Sequence, residues 1–352
     1  MARVDEPLII NGKTIKNRLT MAPTVKFDMA GEDGFVTPEH VRHYSERAAG
    51  GFGLICVEAT AVTPDGRFAP NHMGLWEDAQ TEGHKAITDA CHKEGTVVLI
   101  QINHTGNTGN PMFGQAKGPS AVEVWNGNHS QAMTVDEIHV MQSNFISAAK
   151  RAFDAGYDGV QLHGCHGYLI NQFVSPRTNL RTDEYGLDKS LFASEIIRGI
   201  REVCGSDFLI SVRTPGAEPD IDNALYVAEK YVEAGCDYLQ VSHGIDSFGN
   251  IVKEDDSYSD LCALGVNFRK AYKGNVPVSC VGGLMTPEQV RHIIEKDLCD
   301  TVDLARSALA DPGYAGAILN GTPYVKCMEC KACQYGPGTG HKCPAAMKRG
   351  VI

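Results

Sequence analysis

Long apolar runs are missing from this sequence. No hydrophobic stretch approaches the roughly 18 residues that a membrane-crossing helix needs, and the first residues, MARVDEPLII, lack the basic, apolar and small-residue zones of a secretory signal. Positive charge is also in short supply: 32 Lys+Arg stand against 43 Asp+Glu, a formal net charge of -11. That balance argues against nucleic acid or an anionic membrane as partner, since both want a basic surface. Tryptophan is scarce, with Trp76 and Trp125 the whole supply, so an aromatic cage for a methylated ammonium is not expected. No glycine fingerprint for a dinucleotide follows the first strand-like run; GGFG at Gly50 and GPGTG at Gly336 lie in the wrong context. What is left is a globular chain of 352 residues, 43% hydrophobic and 21% charged, expected to be soluble and cytoplasmic and to hold one large domain or two modest ones.

The 12 cysteines fall into two groups. Eight (Cys56, Cys91, Cys165, Cys204, Cys236, Cys262, Cys280 and Cys299) are scattered singly through apolar or helical patterns, which in a chain of this length reads as reduced thiols. The other four, Cys327, Cys330, Cys333 and Cys343, crowd into CMECKACQYGPGTGHKC near the C-terminus. Four thiolates suffice for a [4Fe–4S] cluster, and the tight triple resembles the ferredoxin-type run. A zinc site more often pairs two CxxC knuckles across a longer loop, although it remains the alternative.

Short β-rich runs alternate with amphipathic, helix-sized stretches. The runs are RLTMAP, GLICVEA, TVVLIQI, DGVQLH, DFLISVR, DYLQVS, VPVSCVGG and DTVDLAR. Helix patterns include PEHVRHYSERAAGG, EGHKAITDACHKEG, VDEIHVMQSNFISAAKRAFDAG, NALYVAEKYVEAG and PEQVRHIIEKD. Thr286, Pro287 and Gln289 suggest a capping box, and Gly95, Gly156 and Gly235 mark helix ends. Eight near-continuously apolar strands, each followed by a helix-sized segment, predict a parallel sheet covered on both faces and closed into an α/β (β/α)8 TIM barrel. The barrel is expected over residues 1–324, with a cysteine-rich cluster-binding tail over 325–352 and a polar, glycine-rich rim or lid between Asn103 and Asn128.

In such a barrel the chemistry belongs at the C-terminal strand ends. Gly282-Gly283 after strand seven and Arg306 after strand eight suit a phosphate, the glycines by close backbone approach and the guanidinium by its fork. Gln101 and Arg213, at the mouths of strands three and five, could hydrogen-bond the edge of a polar heterocycle, or simply form a rim network. The sharpest group is His163, His166 and Tyr168 after strand four. Two imidazoles can grip one oxygen while a phenol supplies a proton, the set needed to polarise a carbonyl and protonate its neighbouring carbon. Metal ligation by the two histidines is the competing reading, without a third carboxylate or imidazole nearby in the chain.

The pieces together resemble the old yellow enzyme family of FMN-dependent oxidoreductases, most closely its iron–sulfur branch with 2,4-dienoyl-CoA reductase and trimethylamine dehydrogenase. The resemblance runs from NGKTIKNRLTMAP through RAAGGFGLICVEATAV, QINHTG, HGCHGYLINQFVSPRTNLRTDEYG, ISVR, VGGLMTPEQ and ARSALADP into the cysteine tail. It implies FMN at the barrel mouth, with Ala22, Pro23, Thr24 and Ala59 lining the flavin, Gln101 and Arg213 at its pyrimidine edge, and Gly283, Ala305 and Arg306 at its phosphate. It implies that His163 and His166 hold the activating oxygen of an α,β-unsaturated carbonyl or carboxyl substrate, that flavin N5 gives hydride to the β-carbon, and that Tyr168 protonates the α-carbon. Ala305-Arg306 in place of glycine-arginine, together with Cys327, Cys330, Cys333 and Cys343, favours the branch carrying a [4Fe–4S] cluster.

Two positions depart from the family pattern: Val25 stands where relatives place Thr or Cys, and Phe27 where some place tyrosine. Relatives of the branch usually continue into further flavin and pyridine-nucleotide domains, whereas this chain stops at Ile352. The expected electron source is therefore NAD(P)H acting on FMN or a separate reduced partner protein, and a homo-oligomer is compatible with the sequence. The rival functions are an amine dehydrogenase that sends electrons out through the cluster, a flavin-housing electron-carrier subunit, and a non-redox barrel enzyme with a structural zinc tail.

Overall fold

A computed structural model describes residues 2–26, 29–123, 129–247, 251–253, 255–330, 333 and 343–348. The eight apolar runs form eight strands: β1 (Leu19–Met21), β2 (Leu54–Ala61), β3 (Val97–Asn103), β4 (Gly159–His163), β5 (Leu209–Pro215), β6 (Tyr238–Ser242), β7 (Val278–Val281) and β8 (Thr301–Leu304). They pair in parallel and in chain order, and β8 closes the barrel on β1 with Val302 opposite Leu19 and Leu304 opposite Met21. Every residue of these strands is buried. Continuous burial explains the unbroken apolar runs, because helices cover one face and the barrel interior fills the other.

Alternation sorts the side chains into two cores. Val98, Ile100 and Ile102 of β3 face outward into the large core shared with the helices. Val97 and Leu99 face inward and meet Leu54, Cys56, Leu209 and Tyr238 at the bottom of the barrel. An N-terminal hairpin, Leu8–Ile10 paired with Lys13–Ile15, plugs that end with Ile10 and Ile15. Its two-residue turn, Asn11-Gly12, takes φ of 45° and 73°, the left-handed conformation that an Asn-Gly pair tolerates best in a tight hairpin.

All five expected helices are present, as Pro38–Ala49, Thr81–His92, Val135–Asp154, Ile221–Ala234 and Pro287–Glu295. Leu191–Cys204 and Asp260–Ala271 complete the jacket. The ends follow from local chemistry: Thr286 accepts from Gln289 N, Thr134 from Glu137 N, and Gly235 closes its helix in the left-handed conformation. The rim segment begins with single 3-10 turns at Gly106–Thr108 and Pro111–Phe113; a two-residue ladder joins Lys117–Gly118 to Gln131–Ala132. Its stretch 124–128, with Trp125, lies outside the described residues, as does Phe27.

Beyond β8 come Arg306–Ala310 and Tyr314–Asn320, and after them the chain has no regular structure among the described residues until Pro344–Lys348. That short helix buries Ala345 and Ala346. All 12 cysteines are free thiols and the eight scattered ones are buried. Among the described residues, no helix is long and apolar enough to cross a membrane.

Two histidines are locked inside this frame. His84 is held by Tyr157 Oη at 3.0 Å and the Gly74 carbonyl at 3.1 Å, and His72 by the Ala59 carbonyl at 2.6 Å. Burial pushes both imidazoles down to about 4. The unfolded chain takes up these protons first as pH falls, so the stability they contribute is complete above the ordinary imidazole range and is lost between about pH 6.5 and 4. Urea unfolding at pH 7 and pH 5 should show a loss of about 2 kcal/mol per histidine. A His84→Gln variant should lack its share of that slope; an equal slope in variant and parent would show that His84 does not carry it.

Candidate active site

Polar residues interrupt the apolar strands at one level of the barrel, and they form a chain. Gln101 Nε2 donates to Gln161 Oε1 at 2.7 Å, and Gln161 Nε2 donates to Gln240 Oε1. Gln240 Nε2 donates to Asp303 Oδ1 at 2.8 Å, and Ser211 Oγ donates to Gln240 Oε1 at 3.1 Å. Asp303 Oδ2 lies 3.6 Å from Arg213 Nη1. Both ends of this pair are buried, and desolvation pushes the Asp303 carboxyl up to about 6 against the pull of Arg213. Arg213 Nε and Nη1 make no hydrogen bond. Burying such donors costs free energy unless a partner arrives, so the mouth above this chain is built to receive acceptor atoms.

The turn after β4 carries the predicted trio. His166 has φ of 63° and Gly167 φ of 77°, a left-handed reversal that a histidine adopts only at some energetic cost. The His243 carbonyl fixes it by accepting from His166 N at 3.1 Å, and Asn171 Oδ1 accepts from Gly167 N at 2.8 Å. As a result His163 Nε2 and His166 Nδ1 lie 3.2 Å apart, and His166 Nε2 lies 2.7 Å from Ser242 Oγ. His163 Nδ1 is buried with no hydrogen bond. The Tyr168 ring sits 4.8 Å from the His163 ring and 4.8 Å from Phe68.

Burial, with Arg213 nearby, pushes both imidazoles well down and keeps them neutral; burial pushes the Tyr168 phenol up to about 12 and keeps it protonated. Cys165 Sγ comes within 4.8 Å of the two histidines' ring nitrogens, the third ligand that the sequence had not offered. The neighbouring Arg213 guanidinium opposes a cation there, so hydrogen bonding to an uncharged oxygen is the better use of this pair.

Around the same mouth stand the residues expected to line a flavin. Ala22 donates to the Leu304 carbonyl at 3.0 Å, and Pro23, Thr24 and Val25 follow, half-buried. Glu58, beside Ala59, pins this loop by accepting from Lys26 N at 2.5 Å and from Tyr44 Oη at 3.0 Å. Burial pushes the Glu58 carboxyl up to about 7 and the Lys26 ammonium down to about 6. Gly282 and Gly283 turn with φ of 115° and 66°, and a Cβ on Gly283 would lie 2.7 Å from Ser259 Cβ. Bare backbone at this turn, and guanidinium nitrogens of Arg213 that make no hydrogen bond, fit FMN. Gln101, Arg213, Gly283, Ala305 and Arg306 are the residues that would hold its polar edges.

The four tail cysteines converge. Cys327, Cys330, Cys333 and Cys343 line one cavity with Arg306, Leu309, Met328, Pro344 and Ala345. Four thiols line one space beside Arg306, and burial pushes the Cys327 and Cys333 thiols up against the pull of that arginine; the donor set is of the kind a four-cysteine metal centre uses. Arg306 therefore sits between two features, following β8 by sequence and facing the cysteines with its side chain.

Several participants are not in the sequence-based set. Gln161, Gln240 and Asp303 were signalled only as polar residues inside apolar strands. Phe68 and His72 arrive from the loop after β2, and Ser242 from the end of β6. Trp76 packs into the space beside Gly34 and Gly74.

The sequence model of the NADH:flavin oxidoreductase / NADH oxidase family matches residues 4–324. An NADPH dehydrogenase of Bacillus licheniformis is 33% identical over 313 residues, covering 87% of this chain and 91% of the relative. An NADH oxidase of Thermoanaerobacter brockii is 33% identical over 338 residues, covering 91% of this chain and 52% of the oxidase. Among solved structures, 2-naphthoyl-CoA reductase complexed with 2-naphthoyl-CoA matches with a TM-score of 0.87 at 25% identity, over 96% of this chain and 57% of that one.

The interior chain yields a stability test. Asp303→Ala removes the buried carboxylate and strands Arg213, which should cost about 3–5 kcal/mol in denaturant unfolding. A loss below about 1 kcal/mol would show that solvent already screens Arg213.

Proposed function

Because the chain belongs to the NADH:flavin oxidoreductase / NADH oxidase family, the old yellow enzyme family that its motifs resemble, we propose that it is an FMN-dependent ene-reductase acting on the C=C bond of an α,β-unsaturated carbonyl or carboxyl compound. The observation that carries the reading is the packing of His163, His166 and Tyr168 into one turn at the mouth where Arg213 holds unpartnered donors. FMN held here would supply the redox chemistry, hydride for the substrate's β-carbon from electrons that NAD(P)H or a reduced partner protein provides.

The side chains do the rest. Neutral imidazoles can donate N–H groups to the substrate oxygen without adding charge, and they strengthen those bonds as negative charge builds on that oxygen. His163 Nδ1, buried and free of hydrogen bonds, is the ring nitrogen available without breaking an existing contact. Ser242 takes the far side of His166 and so fixes its ring. The Tyr168 phenol, held protonated by burial, gives its proton to the α-carbon, and Phe68 packed against it limits its swing. Arg213 and Gln101 would orient the cofactor's pyrimidine edge, while Gly283 and Ala305 would offer backbone to its phosphate. Cys327, Cys330, Cys333 and Cys343 would bind a [4Fe–4S] cluster as the port for electrons from a protein donor.

Two tests follow from these assignments. Tyr168→Phe should lower the rate of alkene reduction by about 10²–10⁴-fold while flavin stays bound and NAD(P)H still bleaches it; unchanged turnover would remove Tyr168 from the donor role. Protein purified without oxygen should contain flavin and about four irons with matching sulfide per chain, and Cys330→Ala should lose the iron and keep the flavin. Zinc in place of iron would replace the cluster with a structural site.

A further inference from the structure

Toward the mouth, β2 breaks step with β3. Val57 pairs with Ile100 and Thr60 with Ile102, so Glu58 and Ala59 together stand opposite one residue. The extra residue is a β-bulge, a device that gathers at barrel rims and re-aims a side chain. Cys56 belongs to the inner cluster and Val57 to the outer one, so strict alternation would aim Glu58 into the barrel. Its carboxylate instead meets Tyr44 of the helix Pro38–Ala49 and the backbone of Lys26.

Donors engage both carboxylate oxygens. Oε2 accepts from Lys26 N at 2.5 Å and Oε1 from Tyr44 Oη at 3.0 Å, while Tyr44 Oη accepts from Glu58 N at 3.0 Å. Ala22 N, bonded to the Leu304 carbonyl, ties the near end of the segment Ala22–Lys26 to β8; Glu58 ties the far end. A protonated carboxyl becomes a donor at one oxygen. Its proton would face either the Lys26 N–H or the Tyr44 O–H, so one of the two contacts must break. The titratable groups around Glu58 are Lys26 from the loop, His40 and Tyr44 from the helix, and Tyr157 ahead of β4. His40 Nε2 lies 3.8 Å from Oε1, and Arg47 and Glu46 act on Lys26. Burial pushes the Glu58 carboxyl up to about 7, against the bond from Lys26 N, the Lys26 charge and the bond from Tyr44.

The inference that follows rests on reading Ala22, Pro23 and Thr24 as flavin-lining. We propose that Glu58 is a positioning residue for FMN and that its proton controls the hold on the cofactor: ionised, it keeps the segment Ala22–Lys26 in its cofactor-lining place; protonated, it lets the far end of that segment go.

The test follows FMN release from the holoprotein on dilution, by recovery of flavin fluorescence, at a series of pH values. In the parent the Kd should rise roughly tenfold between pH 8 and pH 6, as the ionised fraction of a group titrating near 7 falls. Glu58→Gln keeps an acceptor for Lys26 N without a proton to gain, so it should hold FMN about as tightly as the parent at pH 8 and lose the step attributable to Glu58. Any slope it retains belongs to the FMN phosphate, which titrates near 6. Tyr44→Phe removes a bond that holds the carboxyl down and should move the step to higher pH. Glu58→Ala should weaken FMN roughly tenfold at pH 8; should it fail to fold, the other two variants decide. An unchanged step in Glu58→Gln, an unmoved step in Tyr44→Phe, or parental affinity in folded Glu58→Ala would overturn the proposal while leaving the ene-reductase reading intact. A parent that takes up no FMN would sink both.

Discussion

A single buried carboxylate organises the barrel interior. Asp303 stands opposite the Arg213 guanidinium, and a row of three glutamine amides, Gln240, Gln161 and Gln101, carries the polarity across the barrel. Each amide donates in the same sense, so the chain is polarised toward the aspartate and leaves the Gln101 oxygen at its far end. Without Asp303, Arg213 would be an uncompensated buried cation and Gln240 would lose its acceptor. The arrangement lifts a row of hydrogen-bonding atoms to the open end of an otherwise apolar tube. The mouth is thus polar because of a layer beneath it as well as the residues that line it.

The site itself depends on a reversal of the chain. His163 ends a strand and is held by the barrel; His166 and Tyr168 are delivered by a left-handed turn that neighbouring backbone and amide groups over-determine. Gln172 closes the arrangement from behind, donating to the Gly167 and Thr105 carbonyls and accepting from Asn107 N. A rigid wall plus a braced turn places three side chains within a few ångströms, which is the kind of precision that positioning chemistry requires.

All eight strands and the closed barrel were legible because burial on both faces leaves an apolar run with no alternation to confuse. The N-terminal hairpin was not read out, although Asn11-Gly12 is a strong hairpin signal. Asp260–Ala271 was hidden by Gly265 in its middle, and Leu191–Cys204 by a Ser190 that makes no capping bond. At the site, residues within one local motif, His163, His166 and Tyr168, could be grouped by spacing. Gln161, Gln240 and Asp303 lie on separate strands, so their partnership emerges only on closure; the sequence hint was that a polar residue inside a buried strand must find a partner. Phe68 and His72 come from the loop after β2, where no periodicity exists to place them.

The hairpin that stops the bottom of the barrel has a consequence for traffic. Ile10 and Ile15 belong to the same buried cluster as Leu54, Leu99 and Tyr238, so among the described residues apolar side chains close the bottom of the tube. A proton that the proposed reaction takes from the mouth would then return by the door through which reactants enter and products leave. Under the proposed mechanism a molecule resting over Tyr168 would shut off its resupply, which would impose a sequence on each cycle: departure first, reprotonation second, the next arrival third.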